Sequence, residues 1–268
     1  MASAKIAIIG GGNLGVAIAQ GLVAAKQAKA SDILITRRNL SKIQELTKAG
    51  FRLSSNNPEA VAGSRIVLLC VQPKQLVGVL DEIMPVLDSK KHVLVSTITG
   101  ISISEIASHM KQPIAIVRAM PNTAVAVGQS MTCICAQNTS GRQLKSVQAL
   151  FNALGKTLII EERLMKAATV LAASGIAFFM RYVRAATQGG IQLGFDSEEA
   201  QLIAIQTAKG GASLLLELES HPEMEIDRVT TPEGCTISGL NEMEHQGFSS
   251  ALIKGIISSF EKINNIRK

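Results

Sequence analysis

Aromatic side chains are scarce in this chain, and their scarcity argues against one class of function. Phe, Tyr and Trp together make up 3% of the residues, and Trp is absent. Proteins that bind single-stranded nucleic acid stack bases on aromatic rings, so such a platform is nearly excluded. The formal net charge is +6, but the longest basic runs are pairs such as Arg37-Arg38 and Lys90-Lys91. Without a basic cluster we expect no nucleic-acid partner.

The metal-binding patterns of cysteine and histidine are missing as well. The four cysteines include no CxxC pair and no regular spacing; they are Cys70, Cys133, Cys135 and Cys235. We therefore predict buried free thiols in a reducing cytoplasm. The four histidines show no ligand spacing either; they are His92, His109, His221 and His245. No metal site is expected.

Long apolar runs are lacking too. The start of the chain, "MASAKIAIIGGGNLG", does not have the basic-then-apolar pattern of a signal peptide. The most apolar later stretch, residues 167–180, is bounded by Lys166 and Arg181. It is shorter than the ~20 residues that a membrane-spanning helix needs. These features predict a cytoplasmic protein that does not contact a membrane.

What the sequence does contain is an alternation of strand-like and helix-like segments. Over the first ~160 residues, short β-branched runs such as "KIAIIG", "ILIT", "RIVLLCV" and "HVLVSTI" alternate with helical stretches. Nearly continuous apolar strands indicate a parallel sheet that is covered on both faces. We therefore predict an α/β fold, with a Rossmann-type doubly wound sheet over residues 1–162.

After Glu162 the strand signals stop, and the chain reads as helix rich in small residues. A helical unit of this length would expose much apolar surface on its own. We therefore expect residues 163–268 to form an all-α dimerisation domain that is buried against a second copy of the chain.

The segment "GGGNLG" has the GxGxxG spacing of a dinucleotide-binding loop, with glycines at Gly10, Gly12 and Gly15. It follows a strong strand and opens a helix, which is the required context. The first glycine permits a tight turn, the second lets a pyrophosphate approach the backbone, and the third allows close helix packing. Asn13 and Leu14 bring the first helical N–H groups to the phosphates. A purely structural turn is the alternative.

The second strand ends at Arg37 and Arg38, where sites selective for NAD usually carry an acid. Two guanidinium groups suit a 2′-phosphate, so the sequence favours NADPH, with NADH still possible. The alternative is that either arginine is only a solvated surface residue.

Three further segments follow strands and are expected to meet at the same edge of the sheet. They are "CVQP" at residues 70–73, "STITG" at residues 96–100 and "MPNT" at residues 120–123. Ligands bind beyond the carboxyl ends of strands in such sheets, so this edge would hold the nicotinamide. Asn122 is either a cofactor contact or only a turn-forming residue beside Pro121.

A second motif, "DRVTTPEGCTISGLNEMEHQGF", spans residues 227–248. Gly234, Cys235 and Thr236 begin a helix with an apolar face, and its first-turn N–H groups are free to donate hydrogen bonds to an anion. With the hydroxyls of Thr231 and Thr236, these groups could bind a small carboxylate. The alternative is a simple N-cap after a Pro-Gly turn.

With both motifs considered, the chain resembles the pyrroline-5-carboxylate reductases over nearly its full length. The resemblance rests on "GGGNLG", "CVQPKQ", "STITGISI", "VRAMPNT" and above all "VTTPEGCTISGLNEMEHQGF". It implies NAD(P)H-dependent reduction of 1-pyrroline-5-carboxylate to L-proline, the last step of proline biosynthesis. It also implies a homodimer with interlocked helical domains, often assembled into a decamer.

Carried over by position, the resemblance assigns roles to individual residues. Thr231, Gly234, Cys235 and Thr236 would hold the substrate carboxylate and ring, and Thr236 would act in catalysis by hydrogen-bonding the imine nitrogen. Glu162 would lie near the substrate. The cofactor would be lined by residues from several loops of the first domain: Asn57, Val71, Gln72, Pro73, Thr97, Ile98 and Asn122.

The chain also departs from the family pattern. Residues 172–178 read "AASGIAF" where S-G-S-G-P-A-[YF] is usual, so Ile176 replaces a proline. Glu233 replaces a glycine, Cys235 stands where Thr or Ala is common, and Gln72 replaces a lysine. Glu233 puts a negative charge beside the expected carboxylate pocket. A diverged paralogue that reduces another cyclic imine, or a non-catalytic NADP-binding regulatory protein, therefore remains an alternative.

Overall fold

The computed structural model describes residues 5–264 of the chain. The ends of the two predicted domains, residues 1–4 and 265–268, lie outside the described residues. The chain divides into two compact units: one runs to Ser174 and also takes in the chain from Lys262, and the other is Gly175–Glu261.

The first unit is built on an eight-stranded sheet in the order β3-β2-β1-β4-β5-β6-β7-β8. The strands are β1 (Ile6–Ile9), β2 (Ile33–Thr36), β3 (Arg52–Ser54), β4 (Ile66–Leu69), β5 (Val93–Ser96), β6 (Ala115–Met120), β7 (Ser130–Gln137) and β8 (Gly155–Ile159). All neighbouring strands pair in parallel except β6 and β7, which are antiparallel. The strand order reverses between β1 and β4, so this is the switch point of a doubly wound sheet.

The strands of the sheet centre are largely apolar because helices cover both of their faces. Every residue of β1, β2, β4, β5 and β6 is buried. The helices of this unit are α1 (Asn13–Ala24), α2 (Asn57–Ala62), α3 (Leu76–Ile83), α4 (Ile103–Ser108), α5 (Gly141–Asn152) and α6 (Met165–Ala168). Two separate apolar clusters form, one with α1 and α5 and the other with α3 and α4. The α/β doubly wound fold expected from the sequence is confirmed.

Several local features differ from the sequence expectation. The short β3 and α2 were not predicted, and the helix expected near Ser41–Lys48 is a 3-10 helix, Leu40–Ala49. At the other end of the sheet, α6 continues into a π-helical segment, Thr169–Ser174. Met165 and Val170 are buried in this region, so residues just after Glu162 pack with the sheet.

The second unit is entirely helical. Its helices are α7 (Gly175–Gln192), α8 (Ser197–Leu218), α9 (Pro222–Val229), α10 (Cys235–His245) and α11 (Phe248–Asn264), the last of which runs on past Glu261. Helices α7 and α8 pack closely, since a Cβ at Gly190 would lie 3.0 Å from the Cβ of Ala200. Many large apolar side chains stay exposed; Leu193, for example, is 83% exposed.

The helix that links the two units is longer than its apolar stretch suggested. It runs without a break from Glu162 to Gln192, and its 31 residues would suffice to cross a bilayer by length and composition alone. The expectation that this region is too short to span a membrane was therefore wrong, because the flanking charged residues belong to the same helix.

Candidate active site

The glycine loop lies at the switch point between β1 and β4 and has a separate structural reason for each glycine. Gly10 has a φ of 108°, and a Cβ there would lie 2.5 Å from the carbonyl oxygen of Cys70. A Cβ at Gly15 would overlap the carbonyl oxygen of Gly10. A Cβ at Gly12, by contrast, would meet nothing within 4 Å. The backbone at Gly12 therefore leaves an open space of the kind that a pyrophosphate needs.

Helix α1 begins directly behind this open space. Gly12 is its N-cap and supplies no side-chain cap, so the first-turn N–H groups, at Asn13 and the following residues, have no capping oxygen. Asn13 is exposed and Leu14 is half-buried. The helix end thus offers donors and a favourable dipole to an anion.

The two arginines after β2 differ in their contacts and in their exposure to solvent. The Arg37 guanidinium donates to the carbonyl oxygen of Gly11 and is half-buried, whereas Arg38 is exposed. Asn39 caps the following 3-10 helix by accepting from the Ser41 amide at 3.0 Å. Arg37 is thereby fixed against the glycine loop at the carboxyl end of β2, the strand end where doubly wound sheets bind the ribose of a dinucleotide.

Asn57 belongs to a short polar chain at the end of β2. Its Oδ1 accepts from the Thr36 hydroxyl at 2.6 Å, and its Nδ2 donates to Glu82 Oε2 at 2.6 Å. Thr36 also accepts the amides of Gly10 and Gly11 through its carbonyl. Asn57 therefore supports the loop through Thr36, a role that the sequence did not single out.

The loop after β4 approaches the glycine loop closely. A Cβ on Gly10 would lie 2.9 Å from Val71 Cγ1. Gln72 is exposed and caps the turn that Pro73 begins, where the Gln72 amide donates to Gln75 Oε1 at 3.0 Å. These contacts place residues 71–73 at the mouth of the loop.

Thr97 and Ile98 follow β5 at the same edge of the sheet and are 6% and 2% exposed. The Thr97 hydroxyl donates to the Leu69 carbonyl at 3.0 Å. Burial raises the pKa of the neighbouring Cys70 thiol to about 11. With both side chains engaged inside the protein, little of Thr97 and Ile98 beyond the backbone is open to a ligand.

Asn122 uses its polar groups within the protein. Its Oδ1 accepts the Ala124 amide at 3.0 Å, its Nδ2 donates to the Ala172 carbonyl at 3.1 Å, and its backbone N–H donates to Ser130 Oγ at 3.1 Å. These bonds favour the turn-forming alternative over a direct cofactor contact, and the cofactor role stays a prediction.

Glu162 is held by an ion pair that the sequence analysis did not identify. Its Oε1 accepts from Arg118 Nη1 at 2.9 Å and from the Ile103 amide at 2.7 Å. The Arg118 side chain is 5% exposed and that of Glu162 is 34% exposed. The signal was present in the sequence, because an arginine inside the apolar strand "IAIVRAM" requires a buried partner.

The second motif forms a tight turn followed by a helix. The Gly234 amide donates to the Thr231 carbonyl at 3.0 Å, and Glu233 has a φ of 60°. With Pro232 before it, this is the geometry of a type II turn. A Cβ on Gly234 would lie 2.5 Å from the Thr231 hydroxyl oxygen and 3.0 Å from the Thr231 carbonyl oxygen, so a larger residue would displace the exposed Thr231 side chain.

Helix α10 starts from this turn with Gly234 as a bare N-cap. Thr231, Cys235 and Thr236 are exposed, so two hydroxyls and the free first-turn amides are available to a ligand. The exposure of Cys235 contradicts the expectation that all the cysteines are buried. This thiol begins a helix at the surface, and the other three lie in or near the sheet. Among the described residues no group of His, Cys, Asp and Glu is arranged to hold a metal ion.

A glycine loop at the switch point of a doubly wound sheet, followed by a helical unit, defines a dinucleotide-dependent oxidoreductase. Comparison with known proteins is more specific. Residues 162–266 match the family model for pyrroline-5-carboxylate reductase dimerisation, and residues 5–100 match the model for NADP oxidoreductases dependent on coenzyme F420.

Two relatives come from Dictyostelium discoideum. Its pyrroline-5-carboxylate reductase 2 is 46% identical over 96% of this chain and 91% of its own length. Its pyrroline-5-carboxylate reductase 1 is 48% identical over 96% of this chain. The chain spans 49% of the length of pyrroline-5-carboxylate reductase 1.

A solved structure agrees in fold. Plasmodium falciparum pyrroline carboxylate reductase with NADP bound matches with a TM-score of 0.90, 23% identity and full coverage of both chains. The chain belongs to the pyrroline-5-carboxylate reductase family.

Proposed function

We propose that this protein reduces 1-pyrroline-5-carboxylate to L-proline with NADPH, the last step of proline biosynthesis. The observation that carries the proposal is the presence, in one chain of this family, of an open glycine loop and of the bare helix end at Gly234 with its two exposed threonines. The first suits a dinucleotide and the second suits a small anion.

The residues of the second unit would bind and orient the substrate. The first-turn amides of α10 and the Thr231 hydroxyl hold the carboxylate, because the helix dipole favours an anion there. The Thr236 hydroxyl hydrogen-bonds the imine nitrogen and fixes the ring. Bound NADPH supplies the hydride. The chain needs no dedicated general acid, since water can protonate the imine.

Cofactor choice is proposed to rest on the end of β2. Arg37 is already fixed against Gly11, and Arg38 is exposed beside it. Both suit a 2′-phosphate, which favours NADPH, and NADH would bind more weakly because it lacks that group.

Replacement of Thr236 by Ala tests the substrate assignment. One directed hydrogen bond to the imine would be lost. The loss in kcat/KM for pyrroline-5-carboxylate should therefore correspond to an increase of roughly 1–3 kcal/mol in activation free energy. NADPH oxidation measured by absorbance gives both constants. Ser238→Ala is the matched control, because Ser238 lies two residues further along the same helix and its hydroxyl donates to the Gly234 carbonyl at 3.3 Å. Wild-type kinetics in Thr236→Ala would remove Thr236 from the mechanism.

The same assay separates the alternatives. Faster turnover with pyrroline-2-carboxylate or a piperideine carboxylate would favour a diverged paralogue. Cofactor binding without turnover of any cyclic imine would favour a non-catalytic regulatory protein.

We propose that the helical unit forms a homodimer in the cytoplasm, and that dimers assemble into a decamer. The match to a dimerisation model and the exposed apolar side chains of α7 and α8 support the dimer. The same burial would account for the apolar surface of the long linking helix without a membrane. We keep the domain division at residue 162, where the dimerisation match begins, although residues 163–174 pack with the sheet. Sedimentation as a monomer at micromolar concentration would overturn the dimer.

A further inference from the structure

The loop after β6 and the π-helical segment of residues 169–174 meet through one side chain. Asn122 Nδ2 donates to the carbonyl oxygen of Ala172, which lies inside that segment. The residues are 50 positions apart, so this bond joins the carboxyl end of a central strand to the π-helical turns at residues 169–174. π-Helical turns are rare and are frequently found at functional sites.

The other bonds of Asn122 fix the position of this amide. Its Oδ1 caps the 3-10 helix Thr123–Val127 by accepting the Ala124 amide, and its own amide is tied to Ser130 Oγ. That 3-10 helix packs against α1, because a Cβ on Gly21 would lie 2.8 Å from the Val125 carbonyl oxygen. A continuous path of contacts thus runs from the helix behind the glycine loop, through Asn122, to Ala172.

The π-helical segment borders the edge of the sheet where a ligand binds. Asn122 follows β6 at its carboxyl end, which is the ligand side of a doubly wound sheet. The carbonyl that it holds lies at that same edge. Residues 172–176 are all partly exposed, and three of them, Ala172, Ala173 and Ile176, depart from the family pattern S-G-S-G-P.

We propose that Asn122 is a positioning residue for the imine reduction, which holds the π-helical segment as a wall of the ligand crevice and does not touch the cofactor. This inference rests on the proposed function. It assigns to Asn122 a role different from the cofactor contact expected from the sequence. The donor Nδ2 is the group that matters, because Oδ1 serves only as a cap for the local turn.

Two substitutions remove that donor while keeping the cap. Asn122→Ser is neutral and retains an oxygen for the Ala124 amide. Asn122→Asp is isosteric and retains the same oxygen without the N–H group. The matched control is Ser140→Ala, which removes the N-cap of α5, where Ser140 Oγ accepts from the Gln143 amide, and leaves the hydrogen bonds of Asn122 in place.

The experiment measures NADPH Kd by fluorescence, kcat and KM for pyrroline-5-carboxylate, and hydrogen exchange of residues 169–175. We expect both Asn122 variants to lose on the order of tenfold or more in kcat/KM for the imine, because small displacements of a crevice wall misalign the reacting atoms. NADPH Kd should change by less than about twofold, since the glycine loop is untouched. Hydrogen exchange in the segment should speed up, and Ser140→Ala should keep wild-type kinetics.

Three outcomes would overturn the proposal. A loss of NADPH affinity equal to the loss of kcat/KM in Asn122→Ser would make Asn122 a cofactor contact. A lower Tm with unchanged kinetics would make it merely structural, and unchanged hydrogen exchange in residues 169–175 would show that the bond does not hold the segment. If the wild-type protein turns over no cyclic imine, the proposed function fails, and the exchange measurement still decides whether Asn122 holds the π-helical segment.

Discussion

The glycine loop allows cofactor binding and stability to be separated by adding single methyl groups. Gly12→Ala places a Cβ where no atom lies within 4 Å, and the φ of −84° at Gly12 suits alanine. Stability should therefore change little, or rise by about 0.4–1 kcal/mol because alanine restricts the unfolded chain. NADPH affinity should nevertheless fall at least about tenfold, or about 1.4 kcal/mol, since the methyl group occupies the space proposed for the pyrophosphate.

Gly15→Ala, by contrast, should lower the free energy of unfolding. Its Cβ would overlap the Gly10 carbonyl oxygen and approach Ile8 Cγ2 to 3.0 Å, so backbone must move. Overpacking of this kind costs about 1–3 kcal/mol, and we expect the upper end because the nearest atom belongs to the main chain. Urea denaturation without cofactor measures the free energy of unfolding, and fluorescence titration gives NADPH Kd.

Gly78→Ala is the control for both variants. Gly78 lies on the exposed side of α3 with nothing within 4 Å of its would-be Cβ, so alanine should stabilise the helix by about 0.5–1 kcal/mol and leave Kd unchanged. The reasoning is refuted if Gly12→Ala binds NADPH like the wild type, or if Gly15→Ala unfolds at the wild-type urea midpoint.

The remaining predictions concern charge. Glu162→Gln leaves Arg118 without its counter-charge and should lower the free energy of unfolding by about 2–3 kcal/mol, a value reduced for the partial exposure of Glu162. In the double variant with Arg118→Met, the free energy of unfolding should fall much less in the same urea assay. A fall equal to the sum of the two single variants would contradict the coupling of Arg118 and Glu162. The Cys70 thiol has a pKa raised by burial from 9.0 to about 11, so the unfolded chain loses this proton first as pH rises. The contribution of Cys70 to stability should be complete below pH 9 and lost toward pH 11; a Cys70→Ala variant with the same pH dependence would exclude Cys70 as its source. Replacing Arg37 and Arg38 with Ser should raise KM for NADPH far more than KM for NADH, and an equal rise would refute their assignment.

The sequence predicts the sheet well because its signals are local. Each central strand is a short apolar run that can be stable only between two layers, and Gly10 and Gly15 of the loop each have a steric reason of their own. The antiparallel direction of β7 left no such signal, since a buried strand has the same composition in either direction. The three-residue β3 is too short to show a period.

The supporting residues of the site were harder to predict than the residues proposed to touch ligands. Thr36, Arg118 and the π-helical turn act through bonds to positions 21 to 50 residues away, and spacing along the chain does not encode such pairs. Arg118 was the exception that could have been found, because a charge in a buried strand is costly unless it is paired. For Asn122 the sequence indicated the correct place, at the ligand edge of the sheet. It did not show that the side-chain amide is engaged in hydrogen bonds to the backbone of Ala124 and Ala172.

Glu233 shows how the fold and the site constrain each other. The third position of a type II turn favours glycine, yet this chain places a glutamate there with a φ of 60°. A left-handed conformation costs a non-glycine residue roughly 1–2 kcal/mol. The turn persists because its neighbours fix it: Pro232 sets the entry, and the Gly234 amide donates to the Thr231 carbonyl at 3.0 Å. A strained residue is retained only where the surroundings over-determine it. The conformation that presents the α10 amides is therefore encoded by the neighbours of Glu233, so the carboxylate can alter what binds there while the backbone keeps its shape.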